Sequence, residues 1–359
     1  MKVTAVKRNQ CLDLSSFIRD DNGVQPLSVS SPTPFDFQRF NARYLCGGGA
    51  LAQLKSIAWL DIWKNSINDS YHMGAAQLIT QMQGFQEACT LLHKADITLS
   101  TLEAASNSLL IFEPERLKGI RDKDSWRGGY NNEKERIYFV ENQQVPTLLN
   151  ELFTFLNEQR DTANKTSLQV AAIAQKQLLN IHPFPEGNGR LGRALWQALA
   201  VNSVSSFLSP QLYRLTPSGR QDYGAFQSLQ TRLCSDVMAH YFWSNALEWQ
   251  TIKQLRVNSL VQQLHSKFAS LLALRNLSSH ENRLVKILWN QPILSCDYVA
   301  QLLGVPITDA FMVINNFCGI GLLQKLDTHF EVNRRPTALF VNRDIVDLWL
   351  AIEREVFMS

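Results

Sequence analysis

From Phe37 onwards, apolar residues recur mostly at steps of three and four positions along this chain of 359 residues. That spacing lines one face of an α-helix, whereas a half-buried strand would alternate apolar and polar residues. The pattern predicts helices over 51–62, 74–93, 98–110, 146–156, 166–180, 190–207, 222–249 and 251–275. We therefore expect a mostly α-helical fold.

Residues 126–140 break the helical pattern. Gly128-Gly129 and Asn131-Asn132 favour a tight turn, and the β-branched and aromatic run Ile137, Tyr138, Phe139 and Val140 follows them. Turn formers ahead of such a run predict a short β-hairpin, with 137–140 as its second strand.

The segment IHPFPEGNGRLGR, residues 181–193, lies between two predicted helices. Its glycines, Gly187, Gly189 and Gly192, let the backbone approach a ligand closely, and their N–H groups suit phosphate oxygens. The helix predicted from Arg190 adds the positive end of its dipole. The segment therefore predicts an anion-binding turn.

Charged side chains within this segment suit a nucleotide. Arg190 and Arg193 are three residues apart on one helical face and offer two guanidinium forks to a polyphosphate. Glu186 is a hard oxygen ligand of the kind that Mg²⁺ takes. His182, with an ordinary pKa of about 6.5, suits a general base for a hydroxyl nucleophile. Taken singly, each of these side chains also fits a structural role as a helix cap, an ion-pair partner or a core residue.

The three glycines also match GxGxxG, the dinucleotide-binding pattern. That pattern follows a strand and precedes an acidic residue about 20 positions further on. Here a helix and two prolines come first, and no Asp or Glu occurs between Glu186 and Asp222. Because no Gly-Lys-Ser/Thr follows, a Walker A loop is excluded as well.

HPFPEGNGRLGR resembles the motif HPFx(D/E)GNGRxxR of the Fic (Fido-domain) family and matches every specified position. The chain from about 45 to 250 is similar more loosely, in its helical order and in the hairpin ahead of the motif. The resemblance implies a helical bundle with a small β-hairpin flap and a C-terminal winged-helix-like domain. It also implies a nucleotidyltransferase, namely a protein adenylyltransferase that transfers AMP from ATP to a hydroxyl of a target protein or of itself.

The resemblance further implies roles for individual residues. His182 would be the catalytic base, Glu186 would hold Mg²⁺ on the ATP phosphates, and Phe184 would anchor the loop. The flap residues 137–140 would align the target segment by strand addition. The residues implied to bind the nucleotide are Gly187, Asn188, Gly189, Arg190, Leu191, Gly192, Arg193 and, on the adenine side, Tyr223.

The chain departs from the family pattern outside this motif. Many Fic proteins are inhibited by a helix with the pattern (S/T)xxxE(G/N), whose glutamate pairs with the second motif arginine, here Arg193. No segment of the sequence fits, and Asn68 stands at the best positional match for the glutamate. Internal restraint is therefore lost, altered or supplied by another chain, and if it is lost the wild-type protein should label itself. Gln175 and Gly224 stand where relatives often have histidine and a second tyrosine.

Changes of pattern divide the chain into four parts. These are an irregular N-terminal lead-in over 1–36, N-terminal helices of the core over 37–110, the catalytic domain over 111–276 and the winged-helix-like domain over 277–359. The last part holds a helix, a tight turn and a helix, followed by short strands. Its second helix, 307–318, has no Lys or Arg with which to read bases. Protein interaction or packing is thus at least as well supported as DNA binding.

The composition limits the remaining classes. A net charge of +3 is too small to imply nucleic-acid binding. The six cysteines are scattered without a CxxC pair, which argues against a disulfide scaffold or a zinc ribbon. With no signal peptide and no apolar stretch of about 20 residues, we expect a cytoplasmic protein that does not enter a membrane.

Two other functions stay open at this stage. The glycine-rich turn reads phosphates rather than a base, so the transferred group could equally be UMP or another phosphate-containing moiety. A DNA-binding regulator that uses the C-terminal module is the second alternative. The identity of the target protein, the type of residue that is modified and the formation of a homodimer are also left open.

Overall fold

The structure, a computed structural model, describes residues 33–47, 56–127, 136–163, 168–200, 207–228, 235–326 and 329–358. These residues are mostly helical, as the apolar pattern predicted. The helices are α1 (Phe37–Leu45), α2 (Trp59–Asn65), α3 (Met73–Lys94), α4 (Leu99–Leu109), α5 (Val145–Ala163), α6 (Leu168–Ile181), α7 (Asn188–Ala200), α8 (Pro217–Ser228), α9 (Ser235–Leu272), α10 (Ser279–Leu288), α11 (Cys296–Leu303), α12 (Ile307–Gly319) and α13 (Arg343–Phe357). The strands are β1 (Trp126–Arg127), β2 (Ile137–Tyr138), β3 (Ile293–Leu294), β4 (Gln324–Leu326), β5 (Glu331–Val332), β6 (Arg335–Pro336) and β7 (Leu339–Val341).

Two predicted helix boundaries are wrong. The separate helices 222–249 and 251–275 are instead the shorter α8 and the single long α9. No glycine or proline interrupts α9 near residue 250, and Gln250, Lys253 and Gln254 are buried there, so the helix continues through the polar stretch. The helix predicted over 51–62 begins only at Trp59, and residues 51–55 lie outside the described residues.

Contacts divide the chain into two units. The first is built from described residues within 38–55 and 81–251. Its central element is α7, in which every residue except Gly189 is buried. A helix that is buried on all sides belongs to the core, and α7 makes its most extensive contact with α6. Trp196 of α7 stacks on Trp243 of α9 with ring centroids 4.9 Å apart.

The second unit is built from residues within 29–37, 56–80 and 252–359. Its three-stranded antiparallel sheet has the order β3-β7-β4, with Ile293 opposite Val341 and Lys325 opposite Phe340. Trp349 of α13 anchors its core, because the ring packs against Trp59 at 4.4 Å and its Nε1 donates to the carbonyl of Trp289 at 2.9 Å.

The predicted domain boundary near residue 277 falls between α9 and α10, inside this second unit. Helices α11 and α12 meet at Gly304, whose φ of +70° ends α11 in the left-handed conformation that glycine tolerates. On α12 the exposed side chains include Ile307, Phe311 and Met312. An apolar surface of this kind does not match the polar base contacts of a DNA-reading helix.

No single helix in the described part of the chain is long and apolar enough to cross a membrane; α11 and α12 meet that criterion only together, across a bend of 111°.

Candidate active site

The predicted anion-binding turn joins α6 to α7. Directly after α6, His182 has a φ of +52°, a left-handed conformation that is uncommon outside glycine. Pro183 follows, and a proline disfavours the helical conformation in the residue before it. The N–H of His182 still donates to the carbonyl of Leu178 at 2.9 Å, so His182 is the residue at which the backbone departs from the helix.

Phe184 and Asn188 close the turn on itself. The Phe184 ring is fully buried, as expected for the anchor position. The N–H of Phe184 donates to Oδ1 of Asn188 at 3.1 Å, and Nδ2 of Asn188 donates to the carbonyl of Phe184 at 2.7 Å. The side chain of Asn188 is therefore used within the turn, and only its backbone N–H is left for an anion.

Gly187 and Gly192 are required in the turn for different structural reasons. Gly187 has a φ of +81°, and a Cβ there would lie 2.9 Å from a methyl carbon of Leu110. Gly192 faces α6, where a Cβ would lie 3.4 Å from Cγ of Gln175. Leu191 is fully buried. The structure thus places Leu191 and Gly192 in the packing of α7 rather than on the open side of the turn.

Replacing Gly187 by alanine should destabilise the protein by about 1–2 kcal/mol, because an L-residue resists the left-handed conformation. Gly224 provides the control, since it lies within α8 and a Cβ there meets no atom within 4 Å. The Gly224→Ala variant should gain about 0.5–1 kcal/mol from the helix preference of alanine. Urea unfolding of the two variants checks this, and equal shifts in the free energy of unfolding would contradict it.

Both motif arginines are buried and cap the carboxyl ends of other helices. Arg190 donates through Nη1 to the carbonyl of Leu109, the last residue of α4, at 2.9 Å, and its Nη2 lies 3.4 Å from the carboxylate of Glu113. Arg193 donates through Nε to the carbonyl of Leu45, the last residue of α1, at 2.7 Å. Cations are favoured at these negative helix ends.

Arg193 makes a second such contact, from Nη2 to the carbonyl of Gly47 at 2.6 Å. Its remaining nitrogen, Nη1, lies beside Gly189, 3.5 Å from the point where a Cβ would stand if that residue had one. Two of the three side-chain nitrogens of Arg193 are thus bonded to backbone carbonyls. Asn68, the best sequence match to the inhibitory glutamate, donates to the carbonyl of Glu331 at 2.8 Å.

The imidazole of His182 stacks on Phe139 with ring centroids 3.6 Å apart and an angle of 7° between the planes. Its Nδ1 is buried, which leaves Nε2 for a substrate. Burial lowers the pKa of His182 to about 4; the Leu179 backbone raises it in part, and the charges of Arg121 and Arg127 lower it further. At neutral pH the imidazole is therefore in the neutral form that a general base needs.

Arg121 ties this region together. It is buried, and its guanidinium donates to the carbonyls of His182 at 2.8 Å and Val140 at 2.6 Å. The same guanidinium also donates hydrogen bonds to the backbone carbonyls of Lys123 at 2.8 Å and Ile181 at 3.3 Å. One side chain thus joins the end of α6, His182 and the chain that leaves the hairpin.

The hairpin is shorter than predicted. β1 and β2 pair antiparallel, with Trp126 opposite Tyr138, and the strand ends at Tyr138 rather than at Val140. The chain after it turns inward, because the Phe139 ring is buried against His182 and the carbonyl of Val140 accepts from Arg121. Only Ile137 and Tyr138 therefore lie in a strand that could receive a target segment, and residues 128–135 lie outside the described residues.

Glu186 lies exposed in the turn, beside the start of α7. Among the described residues no group of three or more His, Cys, Asp or Glu side chains could hold a metal ion. Mg²⁺ in nucleotide sites commonly takes one or two carboxylates together with substrate phosphates and water. A single exposed carboxylate beside an anion-binding turn fits that arrangement.

Tyr223 lies on α8, with its ring centroid 5.4 Å from that of Phe242. The charges of Arg127, Arg193 and Arg214 all interact with its phenol. Tyr223 therefore lies near enough to Arg193 of the motif for an electrostatic interaction, and its role on the adenine side stays a prediction.

Arg121, Arg127 and Arg214 lie outside the motif and were not predicted as site residues. Only Arg214 carried a signal, since it is the one charge between Arg193 and Arg220 in an otherwise uncharged stretch. Arg121 and Arg127 stand in polar segments where arginine is ordinary.

Comparisons with known proteins found a family model and similar solved structures. Residues 97–200 match a family model described as Fic/DOC family. A Fic family protein from Desulfovibrio desulfuricans G20 is similar in structure, with a TM-score of 0.42 and 16% identity over 85% of this chain and 87% of that one. A Fic domain containing signaling protein from Bacteroides thetaiotaomicron VPI-5482 gives a TM-score of 0.43 and 13% identity over 60% of this chain and 85% of that one.

Proposed function

We propose that this chain, whose residues 97–200 match the Fic/DOC family model, transfers AMP from ATP to a hydroxyl side chain of a target protein or of itself. Fic domains commonly transfer nucleotide or phosphate groups to proteins. The observation that supports the finer proposal is the position of His182, whose imidazole stacks on Phe139 directly ahead of the glycine-rich turn.

In the proposed reaction the target hydroxyl oxygen attacks the α-phosphorus of ATP. His182 accepts the hydroxyl proton at Nε2, the bond from the α-phosphorus to its bridging oxygen breaks, and pyrophosphate leaves. The backbone N–H groups of the turn and Nη1 of Arg193 stabilise the phosphate oxygens. Phosphoryl-type transfer depends mainly on such positioning and charge neutralisation. Glu186 would hold Mg²⁺, which neutralises phosphate charge when it is bound.

Intact-mass measurement after incubation with Mg²⁺ and ATP tests the proposal. We expect the protein, or a target in a cell lysate, to gain the mass of one AMP. Parallel incubations with UTP, GTP and CTP test whether another nucleotide is preferred as donor. A gain of a different group would assign a different transfer reaction, and no gain from any nucleotide would overturn the proposal.

The acid limb of the reaction should lie near pH 4 rather than near 6.5, because burial lowers the pKa of His182 to about 4. Between these values the unfolded chain binds more protons at His182 than the folded one, so this residue's contribution to stability falls as pH falls through that window. NMR titration of ¹³C-histidine-labelled protein checks the pKa, with His182→Asn assigning the signal. A midpoint between 6 and 7 would contradict the prediction.

A further inference from the structure

Helix α12 (Ile307–Gly319) is covered on one side only. Ala310, Ile314 and Phe317 are fully buried, and their spacing of four and three residues places them on one side of the helix. The exposed side, which we call the outer face, consists of Ile307, Thr308, Phe311, Met312, Asn315, Asn316 and Gly319.

Three large apolar side chains dominate the outer face. Ile307, Phe311 and Met312 are 50%, 54% and 57% exposed. Ile307 and Phe311 are four residues apart, which makes them neighbours on the helix surface, and Met312 directly follows Phe311. Apolar residues exposed singly are ordinary on a monomeric protein, whereas a contiguous apolar patch is typical of an interaction surface.

The outer face carries no charge. Its polar residues are Thr308, Asn315 and Asn316, and α12 contains no Lys or Arg and only one acidic residue, the half-buried Asp309. A DNA-binding helix needs cationic and amide side chains for phosphates and bases, and a helix that lies on a membrane is rich in Lys and Arg. The lack of cations therefore favours a protein partner over both of these.

We propose that the outer face of α12 binds the same face of a second copy of this chain and forms a two-fold symmetric dimer. In such a contact the same patch is used on both copies, so the patch must be complementary to itself. An uncharged face meets this condition, since no like charges meet and none is buried unpaired. A partner with a charged surface would instead have to bury its charges against this face without a counterion.

Asn315 adds a self-complementary polar group to the outer face. It follows Met312 by three residues, and its side chain makes no hydrogen bond within the part of the chain that the structure describes. A primary amide has both donors and an acceptor, so two copies of Asn315 can bond to each other across a two-fold axis. A single asparagine between paired helices also fixes their register.

Two carboxylates border the outer face, and each has a partner in its own chain. Oδ1 of Asp309 accepts from the Thr308 hydroxyl at 3.4 Å, and Oε1 of Glu281 accepts from Nδ2 of Asn316 at 3.2 Å. The dimer would thus have an apolar centre and an acidic edge on both copies. Salt screens like charges at the edge and leaves apolar burial intact, so the dimer should tighten as the salt concentration rises.

The size of the outer face sets the expected affinity. The 13 residues of α12 span about 20 Å. A standard protein interface covers about 800 Å² on each partner, and one side of a helix of this length covers less. We therefore expect a weak dimer with a Kd on the order of 10–100 μM.

Sedimentation velocity of the full chain, at concentrations that bracket this Kd, tests the dimer with the wild type, Met312→Glu and Leu255→Glu. Leu255 is the matched control, because it is 60% exposed on α9 of the same unit. Met312→Glu should weaken association at least tenfold, since it brings two carboxylates into an apolar contact. Leu255→Glu should associate as the wild type does.

Two results of this experiment would overturn the dimer. One is a wild-type protein that stays monomeric throughout, which would leave the outer face to a partner other than a second copy. The other is a dimer that Met312→Glu does not weaken. Flotation of the wild type with vesicles of phosphatidylcholine and phosphatidylglycerol tests a lipid surface, and binding that Met312→Glu abolishes would also overturn the dimer.

NMR of wild-type protein with ¹³C-labelled methionine methyl groups locates the contact without a variant that could misfold. Met73 and Met358 are also exposed, on α3 and after α13, and serve as internal controls. On dilution the Met312 signal, assigned through Met312→Leu, should shift, while those of Met73 and Met358 should not. A dimer that dissociates without a shift of Met312 would place the contact elsewhere and overturn the proposal. The test needs no AMP transfer, so its outcome is independent of the proposed function.

Discussion

Replacing His182 by alanine should slow AMP transfer by about two to four orders of magnitude, the usual contribution of a general base. The imidazole lies at the end of α6, stacked on Phe139, with Nε2 left for a substrate. Its removal leaves the turn, Glu186 and both motif arginines in place. ATP should therefore bind to the variant almost as tightly as to the wild type, and the loss should fall on the chemical step.

The initial rate of incorporation of radiolabelled AMP measures this effect, and titration calorimetry with ATP measures the binding. His280→Ala serves as the control, because His280 is an exposed histidine on α10. His182→Asn, which keeps a similar size and polarity, guards against a loss caused by a vacated space beside Phe139. Transfer by His182→Ala at the wild-type rate would show that another group accepts the proton.

The local sequence was sufficient to predict the turn itself. Pro183 ends α6, the glycines allow the backbone to reverse, and Asn188 begins α7, all within a few residues of one another. Such features act between near neighbours, so a single sequence reports them directly. For the same reason α3, α4 and α6 lie within two residues of their predicted bounds.

Contacts between distant residues could not be predicted in this way. The low pKa of His182, for example, depends on burial beside Phe139 and on the charges of Arg121 and Arg127. Periodicity shows which face of a helix is apolar, but not which side chain of another element reaches it. The second strand of the hairpin was predicted two residues too long for the same reason. Phe139 and Val140 favour a strand locally, but contacts with His182 and Arg121 draw them inward.

Among these contacts between distant residues, those of Arg121 should have the second largest effect on stability and on AMP transfer when they are removed. Replacing Arg121 by glutamine should destabilise the protein by about 2–4 kcal/mol, because several buried carbonyls lose their donor. It should also slow AMP transfer by about a hundredfold, the scale expected when a catalytic group is misplaced by about 1 Å. Arg121 is a positioning residue in this account, since it holds the carbonyls of His182 and Val140 and not the substrate.

Two readouts distinguish positioning by Arg121 from general stabilisation of the fold. Arg121→Gln removes a charge that lowers the pKa of His182, so the histidine should titrate above pH 4 in that variant. Arg121→Lys keeps the charge but cannot span the same carbonyls. It should therefore leave the pKa close to the wild-type value while still slowing transfer.

Urea unfolding, NMR titration of His182 and the rate of AMP incorporation measure the three effects together. Arg116→Gln is the control, because Arg116 is an exposed arginine in the short 3-10 helix Glu115–Leu117. If Arg121→Lys transferred AMP at the wild-type rate, the positive charge alone would suffice. The claim that hydrogen bonds from the guanidinium position His182 would then be wrong. If the pKa of His182 stayed unchanged in Arg121→Gln, the guanidinium would act on the backbone only, and its influence on the base would be purely steric.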